Sequence, residues 1–499
     1  MTALLPALVA VPLLTAIGLL ALRPSRAPAL VAAGLSSAVT LLLAVVALVQ
    51  ARPWARGDAG LEIDVPWVPA LGVRMHLGLD GVSAPLVLLT LLLTVLSVGY
   101  TVRVHPSPGR TAGLLACVLA VAGGAVATFM ALDMVVFFVA FEVVLVPMWF
   151  LVAVWGDDSD LAARRDAANR FVLYTAGGSA VMLLGILLVA LRAGTTDLVA
   201  LAEAGGAGMD AGTQLAAALL LLVGLAVKVP AWPLHTWLPP AHTIAPTVGS
   251  VLLAGVLLKM GSYGMVRLVV PVVPDGLARI APWLAAVGVV GIFWGGLACL
   301  VERDLKRLVA FSSVAHMGFV LVGIASMTPE GLQGALFANI AHGVITSLLF
   351  LVVGGLKDRA HTSDLTRLGA GLRDRSPRLG WLLALGCIAG LGLPGLAGFW
   401  GELLAVLGAW QGSDVLGDTG SRWTAVLAAL GTALAAAYLL RVLFVVWHGP
   451  AADAPRQPDA TSHEVAVTAP LAVGSVVLGV LPWLLLSVTA PAVAVMVGP

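Results

Sequence analysis

Long apolar runs follow one another along this chain with little between them, and no other feature constrains its fold so tightly. A run of about 20 apolar residues, coiled as an α-helix, matches the hydrocarbon thickness of a bilayer. Such runs fall at residues 3–22, 28–50, 79–102, 111–131, 133–155, 168–192, 214–237, 247–270, 280–300, 308–327, 332–355, 380–410, 422–447 and 465–489, so the 499 residues accommodate fourteen spans. The runs are too long for barrel strands and show no alternation, which makes an all-α polytopic membrane protein the expected fold class. Only 11% of the residues are charged, where a soluble domain carries about a quarter. The balance of 27 basic against 26 acidic residues offers no basic surface to nucleic acid. The expected surroundings are the lipid bilayer.

Basic residues orient such a chain, because they stay on the cytoplasmic side. Connections after odd-numbered spans hold 18 of the 27 Lys and Arg, Arg456 among them, and connections after even-numbered spans hold 7, Arg56 among them. The odd connections are therefore expected in the cytoplasm and both termini outside. The apolar N-terminus lacks a basic n-region and an A-x-A site, so it reads as a first span rather than a cleaved signal peptide. The two basic residues left over, Lys228 and Lys259, lie inside spans.

Two spans are interrupted. The seventh contains Lys228-Val-Pro230 and the twelfth contains Gly392-Leu-Pro394-Gly395. A proline deep in a helix removes a hydrogen bond and frees a carbonyl, which membranes tolerate only where protein or water satisfies it. The breaks lie five spans apart, an odd number, so the two helices run in opposite directions. That pattern suggests two inverted five-helix repeats. The expected organisation is spans 1–3 in residues 1–110, a first repeat (spans 4–8) in 111–270, a second (spans 9–13) in 280–447, and a last span in 465–499. Two unrelated proline kinks are the alternative.

A charged group at bilayer depth costs about 2.5–3.5 kcal/mol on insertion scales, so each one present is a functional hypothesis. Four occur: Glu142 in span five, Lys228 beside the first break, Lys259 in span eight and Glu402 after the second break. His316 in span ten and His342 in span eleven join them. Either histidine alone reads as a packing residue. With four buried charges at similar depth they read as a row of groups that load and unload protons, with water between them. A buried ion pair of Glu142 and Lys228 that only locks helices would leave Lys259 and Glu402 unexplained.

Weaker signals need less. His235 and His242 flank Pro239 and Pro240 at the cytoplasmic end of span seven. The prolines spoil a metal-binding register, so a structured cap near a proton entrance is the better reading. Cys117, Cys299 and Cys387 form no CxxC and read as buried small residues, so no metal site is expected. Gly390-Leu-Gly392-Leu-Pro-Gly395 matches G-x-G-x-x-G but follows no strand and carries a proline where a helix would open. Gly291 and Gly295 suit close helix packing. The basic segment 357–378 is either a docking surface or the strongest orientation signal.

The stretch Leu225-Ala-Val-Lys228-Val-Pro-Ala-Trp-Pro-Leu-His235-Thr-Trp-Leu-Pro-Pro-Ala-His242 resembles the signature of the antiporter-like subunits of respiratory complex I and their cation/proton antiporter relatives. Leu257-Leu-Lys259-Met-Gly-Ser-Tyr-Gly-Met-Val-Arg267, Phe311-Ser-Ser-Val-Ala-His316-Met-Gly and Ala341-His342-Gly-Val-Ile-Thr-Ser-Leu-Leu-Phe350 resemble the M type of bacterial NADH:quinone oxidoreductase, which corresponds to mitochondrial subunit 4. The likeness runs over nearly the whole chain and is weakest in the first two and last two spans.

The resemblance implies roles. Glu142 would be the acid of the fifth helix, Lys228 its lysine partner, Lys259 the central lysine, His316 and His342 connecting positions, and Glu402 the terminal group. Glu402 is a glutamate in the M type and a lysine in the sister subunits. The resemblance also implies a proton-pumping enzyme complex in a bacterial plasma membrane, with sister antiporter-like subunits on either side. This chain itself is expected to bind no cofactor. FMN, iron–sulfur clusters, NADH and quinone are expected in partner subunits. A subunit of a multisubunit sodium/proton antiporter and a structural spacer are the competing readings.

Overall fold

The computed structural model describes residues 3–55, 57–104, 110–449 and 458–497; Arg56 and Arg456 lie outside these. The membrane helices are α1 (Leu4–Leu22), α2 (Arg26–Ala51), α3 (Ser83–Arg103), α4 (Thr111–Met130), α5 (Met134–Trp155), α6 (Leu161–Ala193), α7 (Ala211–Lys228), α8 (Thr247–Val269), α9 (Pro274–Val301), α10 (Leu305–Ala325) and α11 (Pro329–Ala360). They continue with α12 (Pro377–Gly390), α13 (Ala397–Gln411), α14 (Asp418–Trp447), α15 (Ser462–Val480) and α16 (Trp483–Val497). Among the described residues thirteen helices are long and apolar enough to cross a membrane. The halves α12 and α13 form the remaining span, broken as expected.

Span seven is broken too. Helix α7 stops at Lys228, and a short helix, Leu238–Ile244, completes the crossing. The freed backbone groups are accounted for one by one. Pro230 has no N–H for the Ala226 carbonyl, so the Ala231 N–H takes it at 2.9 Å. The Val227 carbonyl, displaced in turn, accepts from the Trp237 indole at 3.0 Å. Pro394 leaves the Gly390 carbonyl without its helical donor, and His316 Nε2 approaches that oxygen at 3.1 Å. Gly392 and Gly395 turn the chain there with φ of 74° and 92°, a region that a Cβ disfavours.

Some features depart from the sequence expectation. The connection between α2 and α3 is a small antiparallel hairpin, β1 (Leu61–Val68) and β2 (Val73–Leu79), pairing Leu61 with Leu79 and Ile63 with Leu77. The last apolar run is two helices, because the chain turns at Leu481-Pro482 and α16 runs back against α11 and the start of the hairpin connection. The basic segment after α11 folds into two single turns, Leu365–Leu368 and Leu372–Arg375. Its guanidinium groups staple backbone: Arg375 donates to the carbonyls of Leu368, Gly369 and Ala370, and Arg359 pairs with Glu464 at 2.7 Å. Glu464 also closes a capping box with Thr461 that starts α15.

Helices α8 and α11 are enclosed almost completely, whereas α1, α2 and α15 turn much of their surface outward. Groups on α8 and α11 are therefore shielded from lipid, and any proton they exchange must travel through the protein.

Two clasps of the same construction hold connections together. Asp133 caps the start of α5 and bridges to Asp197, while Asp304 caps the start of α10 and bridges to Asp364. In the first, Thr196 Oγ1 donates to Asp133 at 2.6 Å, the Asp197 N–H reaches Thr195 Oγ1 at 3.1 Å, and the Met134 N–H reaches the Thr196 carbonyl at 2.9 Å. In the second, Ser363 donates to Asp304, the Asp364 N–H reaches Thr362 Oγ1 at 3.2 Å, and the Leu305 N–H reaches the Ser363 carbonyl at 2.8 Å. The segments Thr195-Thr-Asp-Leu198 and Thr362-Ser-Asp-Leu365 differ by one hydroxyl residue type.

Candidate functional site

Helix α8 is not a regular α-helix. Two π turns, Leu253–Leu257 and Met265–Val269, interrupt it on either side of Lys259, and such turns gather at functional sites. Beyond the first, Lys259 reaches back with its Nζ to the Ala254 carbonyl at 2.6 Å. The same Nζ lies 2.5 Å from His342 Nδ1 on α11. Lys259 is wholly buried and His342 nearly so.

From His342 the line continues. Its ring lies 5.8 Å, centroid to centroid, from that of His316 on α10. His316 Nδ1 lies 2.7 Å from the Ser312 carbonyl and its Nε2 3.1 Å from the Gly390 carbonyl. A carbonyl only accepts, so a proton on Nε2 is donated to Gly390, while Nδ1 also has the Ser312 hydroxyl at 3.2 Å as a partner that can either donate or accept. Beside it stands Glu402 of α13, Oε1 3.6 Å from His316 Nε2. Glu402 Oε2 accepts from Thr432 Oγ1 of α14 at 2.8 Å. Glu402 Oε1 and His342 Nε2 are buried and make no hydrogen bond to the protein. Both residues line a cavity of about 20 Å³, shared with His316, Ser312 and Gly390. That volume suffices for a water, with Glu402 Oε1 and His342 Nε2 as polar atoms for it to bond.

Four of the six expected groups thus form one line on α8, α11, α10 and α13. The other two stand apart from it. Lys228 is buried at the end of α7, its Nζ 4.7 Å from the centroid of the Phe141 ring and 5.9 Å from that of Phe171, so aromatic faces hold the ammonium. Glu142, next to Phe141 on α5, is half-buried. No ion pair joins Glu142 to Lys228 among the described residues, so they lie more than 4.0 Å apart.

His235 and His242 go to different places. His235 faces Trp294 of α9, with ring centroids 6.3 Å apart. His242 is fully buried, stacked on Phe350 of α11 at 4.5 Å and 9°, and neither ring nitrogen makes a hydrogen bond. Of the two, only His242 is wholly buried with both ring nitrogens unbonded. No group of three or more His, Cys, Asp or Glu among the described residues is arranged to hold a metal ion.

Sequence reasoning missed Lys306. Counted above as a connection charge, it belongs to the first turn of α10, is 3% exposed, and donates to the Ala245 carbonyl at the end of the second half of span seven. It also missed the buried pair Arg267–Asp80 at the far end of α8, where Arg267 Nε reaches Tyr263 Oη at 3.2 Å and Tyr263 Oη donates to the Phe129 carbonyl at 2.6 Å. Asp80 stands at the very start of the apolar run 79–102, where a charge gives little contrast with the connection before it.

Residues 131–431 match the family model for NADH:quinone oxidoreductase/Mrp antiporter transmembrane proteins. NAD(P)H-quinone oxidoreductase chain 4 1 of Synechococcus sp. (strain JA-3-3Ab) is 40% identical over 89% of this chain and 82% of its own length. NADH-quinone oxidoreductase subunit M of Rhodobacter capsulatus is 36% identical over 92% and 88%. A chain of respiratory complex I from Thermus thermophilus superposes with a TM-score of 0.86 at 28% identity, covering 99% of this chain and all of that one. A chain of the Mrp complex from Dietzia sp. shares the fold, with a TM-score of 0.88 at 23% identity. The line of buried Lys, His and Glu thus sits in a chain that belongs to the NADH:quinone oxidoreductase/Mrp antiporter transmembrane family, on the branch of subunit M and chain 4.

Proposed function

We propose that this chain translocates protons as a membrane-arm subunit of an NADH:quinone oxidoreductase, in a bacterial plasma membrane with both termini outside. One observation carries the reading: Lys259, His342, His316 and Glu402 are successive neighbours, with a water-sized cavity where two of their polar atoms lack protein partners. The chemistry assigned to these residues is proton holding and transfer. Lys259 hands a proton to His342 Nδ1, and cavity water carries one from the histidines to Glu402. Electron transfer belongs to partner subunits that carry FMN, iron–sulfur clusters, NADH and quinone, and sister antiporter-like subunits flank this chain.

The twin clasps support two five-helix units of opposite orientation, α4–α8 and α9–α14. They occur between the first and second and between the third and fourth spans of each unit, after Asp133 and Asp304 alike. A π turn ends α14 as π turns interrupt α8, its counterpart. Glu142 and Lys228 are then a switching pair. The separation seen here is one position of the switch, with Lys228 on its aromatic cushion, and an ion pair would be the other.

Replacing Glu402 tests the reading in vesicles containing the whole complex. Glu402→Gln removes titration and is expected to abolish proton uptake, while Glu402→Lys retains part of it. Equal and full pumping by both variants would refute the assignment. Purification of the chain in a complex without flavin or iron–sulfur subunits would instead favour a sodium/proton antiporter.

A further inference from the structure

Helices α8 and α11 lie antiparallel where Lys259 meets His342, and different contacts hold them on either side of that meeting. On one side the backbones approach closely. A Cβ on Gly255 of α8 would stand 2.6 Å from Ser347 Oγ, and one on Gly343 of α11 would stand 3.2 Å from the Gly255 carbonyl oxygen and 3.5 Å from Lys259 Cε. On the other side, one turn along α8, Ser262 Oγ donates to Asn339 Oδ1 at 2.8 Å. Asn339 stands one turn before His342 on α11. The two proton carriers thus lie between a glycine seam and a hydrogen bond.

An apolar pair would join two buried helices with less penalty. Ser262 and Asn339 are both buried, and the amide nitrogen of Asn339 makes no hydrogen bond to the described residues. A buried donor left unpaired is destabilising. Polar side chains do join membrane helices, but a joint selected for strength alone would leave no donor idle. Ser262 also has a second acceptor, the carbonyl of Lys259 itself, at 3.2 Å. A hydroxyl has one proton, so it bonds either to α11 or to its own helix. Its choice decides whether α8 is tied to α11 at this level, and the hydroxyl stays satisfied in both positions.

We propose that Ser262 and Asn339 are positioning residues for proton transfer between Lys259 and His342. Their hydrogen bond fixes α8 against α11 one turn from the contact, and so holds Lys259 Nζ 2.5 Å from His342 Nδ1. Neither residue touches the proton that moves. When the hydroxyl turns to the Lys259 carbonyl, the tie opens and the two nitrogens can separate. Gly261, next to Ser262, sets α8 against the end of α7: a Cβ there would stand 2.9 Å from Val229 N and 3.0 Å from the Leu225 carbonyl oxygen. A movement of α7 at Lys228 therefore reaches the tie through direct backbone contact. This inference rests on the relay reading above and names what sets the distance between its first two members.

The test uses the intact complex in vesicles at matched subunit content, and reads proton uptake in ordinary and in heavy water. The variants are Ser262→Ala, Asn339→Leu and the two combined, with Ser262→Thr to keep the hydroxyl and Lys259→Ala as reference. Each single removal is expected to lower uptake about 10- to 100-fold, the scale on which a displacement of an ångström or less acts. The combined variant should fall no further, because the same bond is lost in all three. The solvent isotope effect should rise above wild type, since the transfer itself then limits the rate, and Ser262→Thr should recover most of the uptake. Single variants within twofold of wild type, losses that multiply when combined, or a loss with an unchanged isotope effect would each overturn the proposal. If Asn339→Leu does not assemble, Ser262→Ala, which removes one oxygen atom, decides alone. Full pumping by Lys259→Ala would refute the relay reading. Full pumping by the Ser262 and Asn339 variants beside an inactive Lys259→Ala would leave the relay standing and refute only the positioning role.

Discussion

His316 Nε2 faces the Gly390 carbonyl at 3.1 Å, and that carbonyl is the one Pro394 deprives of its helical donor. The break in span twelve and the histidine of span ten are thus one device: the proline vacates an acceptor and the imidazole occupies it. Span seven satisfies its own freed carbonyl with a tryptophan, Trp237, which does not titrate. The choice of a histidine at the second break puts a proton carrier within 3.6 Å of Glu402.

This arrangement separates structural from chemical loss. A glutamine at position 316 can donate an amide hydrogen bond but cannot exchange a proton. His316→Gln is expected to assemble and to retain electron entry from NADH to an artificial acceptor, while proton uptake falls by about 10²-fold or more, the usual worth of a positioned acid–base group. Uptake within twofold of wild type would mean that His316 only plugs the break.

A second prediction concerns Glu142. It stands on α5 beside Phe141, whose ring lies under the Lys228 ammonium, so a shift of α5 or α7 decides whether Lys228 meets an aromatic face or a carboxylate. Glu142→Gln leaves the cushion and removes the alternative. Coupled quinone turnover and pumping should be lost, at least about tenfold, one pKa unit's worth of interaction at 1.36 kcal/mol, with NADH oxidation by an artificial acceptor intact. Normal coupled turnover in a fully assembled complex would make the two residues structural only.

The hairpin between α2 and α3 offers a third, set by pH. His76 of β2 is buried between two carboxylates, Nε2 2.5 Å from Glu62 and Nδ1 2.5 Å from Asp197, and so ties the hairpin to the connection after α6. Burial opposes the imidazolium, but the Asp197 and Glu62 carboxylates outweigh it and raise the His76 pKa above its ordinary value. Burial likewise opposes the Asp197 carboxylate, and its bond to His76 prevails and lowers that pKa. The signs follow. The histidine's contribution is complete below its unfolded pKa of about 6.5 and fades as pH rises through the raised folded value. That of Asp197 is complete above about 3.9 and fades as pH falls through the lowered one. The hairpin should be held most firmly in mild acid. Glu62 is partly exposed, which screens its share, so His76→Gln should cost about 1–2 kcal/mol of local stability near pH 6. Amide exchange of residues 61–79 in wild type should quicken from pH 6 to 9 beyond the intrinsic rate, and the variant should show no such excess. An equal excess in both would sink the account.

Much of this was legible in the sequence because membranes penalise charge so heavily. Glu142, Lys228, Lys259 and Glu402 stood out against apolar neighbours, and both proline breaks could be read from chain chemistry alone. What stayed hidden lies where apolar patterning gives no contrast. The π turns of α8 change the backbone ladder without changing hydropathy, so nothing marked the reach of Lys259 back to Ala254. The bend at Leu481-Pro482 is surrounded by apolar residues on both sides and merged α15 with α16. Lys306 failed for the opposite reason: with Arg303, Asp304 and Arg307 around it, it looked like a solvated loop, and only the packing of α10 against Ala245 buries it. The separation of Glu142 from Lys228 depends on helix positions that no spacing reports.

The last prediction turns on Lys259, whose ammonium is held by one carbonyl and one imidazole with no carboxylate in ion-pair reach among the described residues. A charge at this depth is costly to hold without a carboxylate beside it, so a change in its surroundings decides whether it carries a proton. Moving one charge across a potential of roughly 180 mV costs about 4 kcal/mol, equivalent to about 3 pKa units. Arrival or departure of the Glu142–Lys228 pair beside α8 can supply it. Lys259→Arg preserves the positive charge and a donor for Ala254 but never becomes neutral at usable pH. It should assemble better than Lys259→Ala and pump no better, both at least about tenfold below wild type by the worth of a positioned acid–base group. Proton uptake in vesicles at matched subunit content decides. Robust pumping by the arginine variant would make Lys259 a fixed charge, and protons would then reach Glu402 without passing through it.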